Sequence, residues 1–266
     1  LYQITATDSV GSSGAAIPFD GAFSTGSTIT DDFNQCDAPQ VAWSLLDPNL
    51  LGSMSISGQG TDDAWLRINV LGGNDVYPSQ GSVLMPPQVV RAINAVSFEH
   101  EIVWDSVPNQ VQQIQGVLYS DEGTDWVRAD LSLTASGLLL HVSGTDAFGG
   151  THNLNATIAA DASLLERVGL RVARDGDLWT VSWSLDGLLW TATTPFALAM
   201  QPVQLGLYAG TAGGGTAPGF TAIVDYVANT LDVPLAPEDG PITGSVTTTL
   251  FLSATAMHRL YYYEGE

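Results

Sequence analysis

What most limits the folding of this chain is a repeating pattern: short runs rich in Val, Ile, Thr, Trp and Tyr alternate apolar with polar residues. Gly, Asp, Asn or Pro interrupts them at spacings of roughly 8 to 12 residues. The clearest case is Val168–Ala173, the turn Arg174-Asp175-Gly176-Asp177, and Leu178–Leu185. An Asp-Gly dipeptide supplies the positive φ of a tight hairpin turn. Trp179, Val181 and Trp183 share one parity while Thr180, Ser182 and Ser184 share the other, so this strand has one apolar and one polar face. A second turn at Leu185-Asp186-Gly187-Leu188 leads to Trp190. Further strands are expected at Trp65–Leu71, Val96–Trp104, Gln113–Ser120, Trp126–Leu133, Leu138–Ser143, Val203–Ala209 and Phe220–Val227. Helical periodicity is nearly absent; Asp161–Arg167 (DASLLER) reads as a turn or a single helical turn. The pattern predicts an all-β fold, a two-sheet antiparallel sandwich of the jelly-roll kind.

Such a fold needs a core, and the composition provides one: 45% of the 266 residues are hydrophobic and 13% charged, with 7 Trp, 8 Tyr and 8 Phe. The charge balance is strongly acidic, at −21, and every basic residue is Arg. Phosphate backbones and anionic membranes should be repelled, so nucleic acid is not an expected partner. No window approaches the ~18 apolar residues of a membrane helix, and membrane insertion is not expected. One cysteine, Cys36, rules out an internal disulfide network and a cysteine-based zinc site.

Two flanks differ from the body. Residues 1–30 form an arm rich in Gly, Ser, Thr and Ala. Residues 231–266 begin as a proline-bearing linker (LDVPLAPEDGP) and continue as a long, weakly charged β-prone stretch, ITGSVTTTLFLSATAMHRLYYY. This C-terminal β-strand extension is expected to pair with the N-terminal segment, the parent sheet or another subunit, since an exposed edge invites association.

Between the flanks, residues 31–230 carry an ordered series of signals. Asp31-Asp32-Phe33 is followed by Glu101–Pro108 (EIVWDSVP), Gln113–Leu118 (QIQGVL), Asp125-Trp126-Val127-Arg128, the Asp-Gly-Asp-x-Trp hairpin, Ser184-Leu185-Asp186-Gly187 with Trp190, Gly206-Leu207, and Phe220–Tyr226. In this order they resemble the bacterial extracellular concanavalin A-like lectin and glucanase modules. The resemblance implies a curved sandwich in which one sheet presents a concave groove for sugars. It assigns Gly176, Gly187 and Asp186 to turns, and Trp179 and Trp190 to core packing.

Three sets of residues are candidates for chemistry. Glu99, Glu101 and Asp105 share one parity of a strand, and paired carboxylates are the tools of glycoside hydrolysis. The glucanases of this fold carry Glu-x-Asp-x-Glu or Glu-x-Asp-x-x-Glu, whereas this strand reads Glu99-His100-Glu101-Ile102-Val103 and lacks the central Asp. A ligand-binding set is Gln113, Gln115, Trp126, Arg128, Asp130 and His141: amides and a guanidinium to exchange hydrogen bonds with sugar hydroxyls, and an indole to stack on a pyranose ring. Calcium is the one cofactor the residues raise, with Asp31, Asp32 and Asp225 as its candidate ligands. The acidic groups Asp62-Asp63 and Asp121-Glu122 with Asp125 have no calcium-loop spacing, and there is no nucleophile elbow, phosphate loop or dinucleotide fingerprint.

Three functions are compatible with these signals. The first is a non-catalytic carbohydrate-binding or adhesion module, with a polysaccharide or cell-surface glycan as partner. The second is a structural subunit of an extracellular assembly, a cell-surface filament or phage particle, joined through the C-terminal strand by self-association. The third is a glycoside hydrolase. All three place the protein outside the cell, on a cell surface or in a virion.

Overall fold

The computed structural model describes residues 30–33, 43–58, 64–78, 85–93, 96–121, 124–212, 216–231, 247–248 and 262–263. Among them there is no α-helix. Strands β1 (Ser44–Leu46), β2 (Gly52–Ser57), β3 (Trp65–Val70), β4 (Gln88–Ala92), β5 (Ser97–Trp104), β6 (Gln113–Ser120), β7 (Trp126–Thr134), β8 (Gly137–Thr145) and β9 (Thr151–Ala159) come first. They are followed by β10 (Val168–Asp175), β11 (Leu178–Ser184), β12 (Thr191–Ala192), β13 (Phe196–Ala197), β14 (Gln204–Thr211), β15 (Phe220–Asn229), β16 (Thr247–Thr248) and β17 (Tyr262–Tyr263).

Two antiparallel sheets make the sandwich. One has seven strands in the order β1-β4-β14-β6-β7-β8-β9; the other has eight, in the order β12-β11-β10-β5-β15-β3-β2 with β13 beside β11. The order is that of long connections rather than a simple meander: β14 pairs with β4 and β6, and β15 with β3 and β5. The late strands β14 and β15 thus lie in the interior of the two sheets. Asp31, before β1, bridges Val227 near the end of β15, tying the two ends of the body together.

Side-chain parity sorts cleanly about the core. From the eight-stranded sheet, Phe98, Ile102, Trp104, Leu170, Val172, Trp179, Val181, Ile68 and Val224 face inward; from the other come Val117, Tyr119, Val127, Leu131, Leu140, Val142 and Leu207. Trp104 and Trp179 are fully buried, and truncating either to Ala would cost about 3–5 kcal/mol by cavity formation. The parity expected for Trp179 and Val181 holds. The β10–β11 ladder runs two residues further than expected, to Asp175↔Leu178, and closes on a two-residue loop whose Gly176 has φ +60°.

Trp190 departs from its expected place. It is half-buried on the outer face of the eight-stranded sheet, lying over Gly169 and 3.9 Å from the Arg171 guanidinium, two residues of β10 whose parity is opposite to that of the core residues Leu170 and Val172. Asp161–Arg167 is an irregular turn, closed by Leu165 N–H to Ala162 C=O. The expected N-terminal arm, Cys36, Asp62-Asp63, Glu122 and most of the C-terminal extension lie outside the described residues. Of the extension, Thr247–Thr248 pairs with Tyr262–Tyr263 in a short antiparallel ladder, so the described part pairs within its own segment.

Candidate functional site

Strand β6 is apolar on both faces, and this decides where a polar site can form. Val117 and Tyr119 point into the main core, while Ile114 and Leu118 join Tyr208 in a smaller cluster on the opposite side, packed against Tyr77, Met85 and Trp126. The outer face of the seven-stranded sheet is therefore the even-numbered side of β6 and β7.

Across that face the registers align one residue from every strand. Leu46 lies beside Gln88, Gln88 beside Tyr208, Tyr208 beside Gly116, Gly116 beside Asp130, Asp130 beside His141, and His141 beside Asn155. The row is polar from Gln88 to Asn155 except at Gly116. A Cβ at Gly116 would lie 2.5 Å from the Asp130 Cβ and 2.6 Å from the Ala129 carbonyl, so only glycine allows Asp130 to sit there. The next row contains Arg128, Ser143 and Asn153, and the next Trp126, Thr145 and Thr151.

Hydrogen bonds fix these groups. The buried Tyr208 hydroxyl donates to Asp130 Oδ2 at 2.9 Å, and Arg128 Nε lies 3.3 Å from the same oxygen. Burial, then the Asp130 carboxylate, pushes the Tyr208 phenol well above its ordinary pKa, so it stays a donor. The Arg128 guanidinium lies between the rings of Tyr77 and Trp126, at 5.6 and 6.0 Å, and donates to the Pro78 carbonyl. That contact pins residues 72–78 across the sheet, together with the Val76↔Thr211 bridge. Beyond this strap the face opens: His141 Nδ1 is 2.7 Å from Asn155 Oδ1, and Asn155 Nδ2 donates to Asn153 Oδ1 at 3.1 Å. Strands lie about 4.8 Å apart, so the open part from β7 to β9 spans roughly 10 Å, the length of about two pyranose units.

The structure thus brings Trp126, Arg128, Asp130 and His141 onto one face. It does not bring Gln113 and Gln115 there. Both have odd parity and point inward, and both are almost completely buried. Gln115 bonds the Ser106 hydroxyl and carbonyl at 2.9 and 2.8 Å; Gln113 accepts from the Asn109 and Gln110 amides and donates to Gly219. They brace the connection from Ser106 to Gln110, whose backbone groups in turn satisfy the two buried amides. Tyr77, Tyr208, Asn153 and Asn155 complete the face and were not among the residues expected from the sequence. The alternation of Asn153, Asn155 and Thr157 with Leu154, Ala156 and Ile158 was a readable signal for β9. Nothing local marks Tyr77, which arrives on a strap.

Glu99, Glu101 and Asp105 lie on the other sheet, facing away from the core. Each carboxylate is engaged. Glu99 accepts from the Thr230 hydroxyl; Glu101 pairs with Arg171 Nε at 2.6 Å and accepts from the Tyr226 hydroxyl; Asp105 pairs with Arg167 Nε at 2.7 Å and accepts from the Trp65 indole at 3.1 Å. The calcium candidates are engaged as well. Asp31 caps the Phe33 amide and binds the Trp43 indole N–H, both at 2.8 Å. Asp225 sits at the β-bulge of β15 and pairs with Arg167 Nη2 at 2.8 Å. Asp32 has an interacting partner too. Among the described residues, no three His, Cys, Asp or Glu side chains converge as a metal site would require.

No protein-family model matches the chain, and no curated protein matches it in sequence. Solved structures do match in fold. The GH43 protein BlXynB from Bacillus licheniformis aligns with a TM-score of 0.54 at 14% identity, over 85% of this chain and 45% of that one. A xylan β-1,4-xylosidase from Bacillus halodurans C-125 gives a TM-score of 0.54 at 17% identity, over 85% and 46%. A Bacillus licheniformis β-glucanase gives 0.51 at 13% identity, over 77% of this chain and 98% of its own. The fold is the concanavalin A-like jelly roll. At these identities the likeness is one of architecture. The chain spans a little under half the length of the BlXynB and xylosidase structures, and this jelly roll corresponds to nearly the whole of the β-glucanase.

Proposed function

We propose that this protein is a non-catalytic carbohydrate-binding or adhesion module of an extracellular protein, and that it holds its glycan on the outer face of the seven-stranded sheet. The observation that carries this reading is the in-register polar row from Tyr208 through Asp130 and His141 to Asn155, flanked by the half-buried indole of Trp126. Its accessible end offers an aromatic surface for a pyranose ring and fixed amide and imidazole groups for hydroxyls. The names of the structural neighbours, a xylosidase and a β-glucanase, support neutral β-linked polysaccharides as the first ligands to try. The −21 charge works against acidic ones.

A glycan array followed by titration with xylohexaose and cellohexaose tests the reading. Trp126→Ala is expected to weaken binding at the face at least tenfold, about 1.4 kcal/mol. A protein that binds nothing on a broad array would overturn the proposal.

A glycoside hydrolase is the second reading, favoured by the hydrolases among the structural neighbours and by Glu99 and Glu101 on one face of β5 with Asp105 just beyond its end. Against it, each of those carboxylates is already held by a guanidinium, a hydroxyl or an indole. If reducing ends are released from a glucan or xylan and Glu99→Gln and Glu101→Gln leave the rate unchanged, these residues are not its catalysts. A loss of a hundredfold or more in either variant would assign catalysis to the eight-stranded sheet.

A further inference from the structure

At one end of the sandwich two clefts meet. The larger, about 950 Å³, lies between the connection after β5, the β7–β8 turn and residues 160–166; the smaller, about 430 Å³, opens on the outer face of the eight-stranded sheet. Asp105, Glu166 and Ile223 line both, so they form one continuous depression. Each cleft has the size of a site for small organic ligands, and the depression lies apart from the Trp126 face, none of whose residues lines it.

We propose that this depression is a second saccharide site, specific for a neutral oligosaccharide; the ligand class rests on reading the protein as a glycan binder. Three features of the cleft carry it. The first is Trp65, half-buried in the wall, whose indole N–H is fastened to Asp105 Oδ2 at 3.1 Å. Asp105 is held by Arg167 at 2.7 Å, and Arg167 by the buried Asp225 at 2.8 Å. The ring is therefore oriented by the protein before any ligand arrives, which lowers the ordering cost of stacking a sugar on it.

The second is a pair of unused charges. Arg67 and Glu166 both line the smaller cleft, both are exposed, and neither side chain makes a hydrogen bond or ion pair with another described residue. Among the described arginines Arg67 alone is without such a partner; in a chain so short of cations this one faces a cleft. A guanidinium that only donates and a carboxylate that only accepts are complementary to sugar hydroxyls, which do both, and charge-assisted bonds are the stronger kind. The third is charge. Asp105, Asp161 and Glu166 outnumber Arg67 and Arg167 around the depression, and the whole chain stands at −21, so a uronate chain would be repelled while a neutral one would not.

Titration calorimetry with xylohexaose and cellohexaose on the full chain, on Arg67→Ala combined with Glu166→Ala, and on Trp126→Ala tests the site. The two cleft side chains are exposed and bonded to no other described side chain, so the double variant should fold as the parent does. The expected result is two classes of site in the parent, one of them weakened at least tenfold in the double variant and retained in Trp126→Ala. If the double variant binds like the parent while Trp126→Ala abolishes binding, the cleft is no site and the sheet-face reading stands. If the double variant abolishes all binding and Trp126→Ala changes nothing, the cleft stands and the sheet face falls. Failure of the parent to bind either hexasaccharide overturns both. Preference for hexagalacturonate over the neutral chains overturns the ligand class proposed for the cleft.

Discussion

Urea unfolding between pH 7 and pH 4 is expected to show stability falling by on the order of 3 kcal/mol through one side chain, His100. Its ring is 2% exposed, stacked on Phe98 at a centroid distance of 4.3 Å, with Nδ1 3.1 Å from the Tyr119 hydroxyl. Burial first, and then the Arg91 guanidinium, lowers its pKa from 6.5 to about 3. In the unfolded chain the imidazole takes up a proton as pH falls through 6.5; in the native protein it does not until about 3. Over that window the unfolded state binds more protons, so stability is full above pH 6.5 and is lost progressively toward acid. His152, lowered by burial as well, acts in the same direction. The carboxylates of Asp146, Asp161 and Asp186, lowered chiefly by backbone hydrogen bonds, act in the same direction but begin only at about pH 5 and have most of their effect below the window.

His100→Phe separates the histidine from other sources of acid sensitivity. Phenylalanine keeps the stack on Phe98 but leaves the buried Tyr119 hydroxyl without its ring partner, at about 1–3 kcal/mol near pH 7. The variant should thus be the less stable protein at neutral pH and show a distinctly flatter dependence toward pH 4. A slope equal to that of the parent would show that His100 is not the group responsible.

The second large effect is expected from Arg174→Met, a loss of about 2–4 kcal/mol. Arg174 lies on the core side of β10, almost wholly buried, with its guanidinium 5.6 Å from the Trp179 ring centroid. One Nη donates to the Val96 carbonyl and the other to Met200 at 2.7 Å. The side chain thus ties the corner before β5 to the segment that carries Phe196, Leu198 and Met200 into the core. Removing it strands the Met200 carbonyl in a buried position. The urea midpoint should drop with little change in slope, and the amides of Leu198 and Met200 should exchange faster. Arg174→Lys should rescue little, since one ammonium lacks the planar fork that reaches two carbonyls. Unchanged exchange in Arg174→Met would mean that this segment is held by its own contacts.

Much of the fold was legible because its signals are local. The alternation of Trp179, Val181 and Trp183 needs only neighbouring residues to define a face, and Gly176 needs only its own φ. The strands that escaped notice are those with few large apolar residues, even where, as in β9, the alternation itself can be read. Strand β2 is half Ser, with Gly52, Met54 and Ile56 between, β4 carries Gln88 and Arg91, and β9 is an edge strand rich in Asn and Thr. Their pairing partners stabilise them more than their own propensities do.

The candidate site was half legible for a related reason. Trp126, Arg128 and Asp130 share parity on a strand whose other face, Val127, Ala129 and Leu131, is plainly apolar, so sequence alone told the two sides apart. On β6 it could not. Ile114 and Leu118 on one side and Val117 and Tyr119 on the other are equally apolar, and the glutamines gave no means of choosing a face. Only the assembled sandwich, by covering one side of β6 with the main core and the other with the strap at Tyr77, turned Gln113 and Gln115 inward. Sequence by itself determined that this chain is a two-sheet β sandwich, since alternation and turn chemistry act over a few residues. Tertiary structure decided which strands neighbour one another, which carboxylates are paired, and where open polar surface remains. Those depend on contacts between residues far apart in the chain, such as Arg167 with Asp225 and Tyr208 with Asp130, which no local pattern encodes.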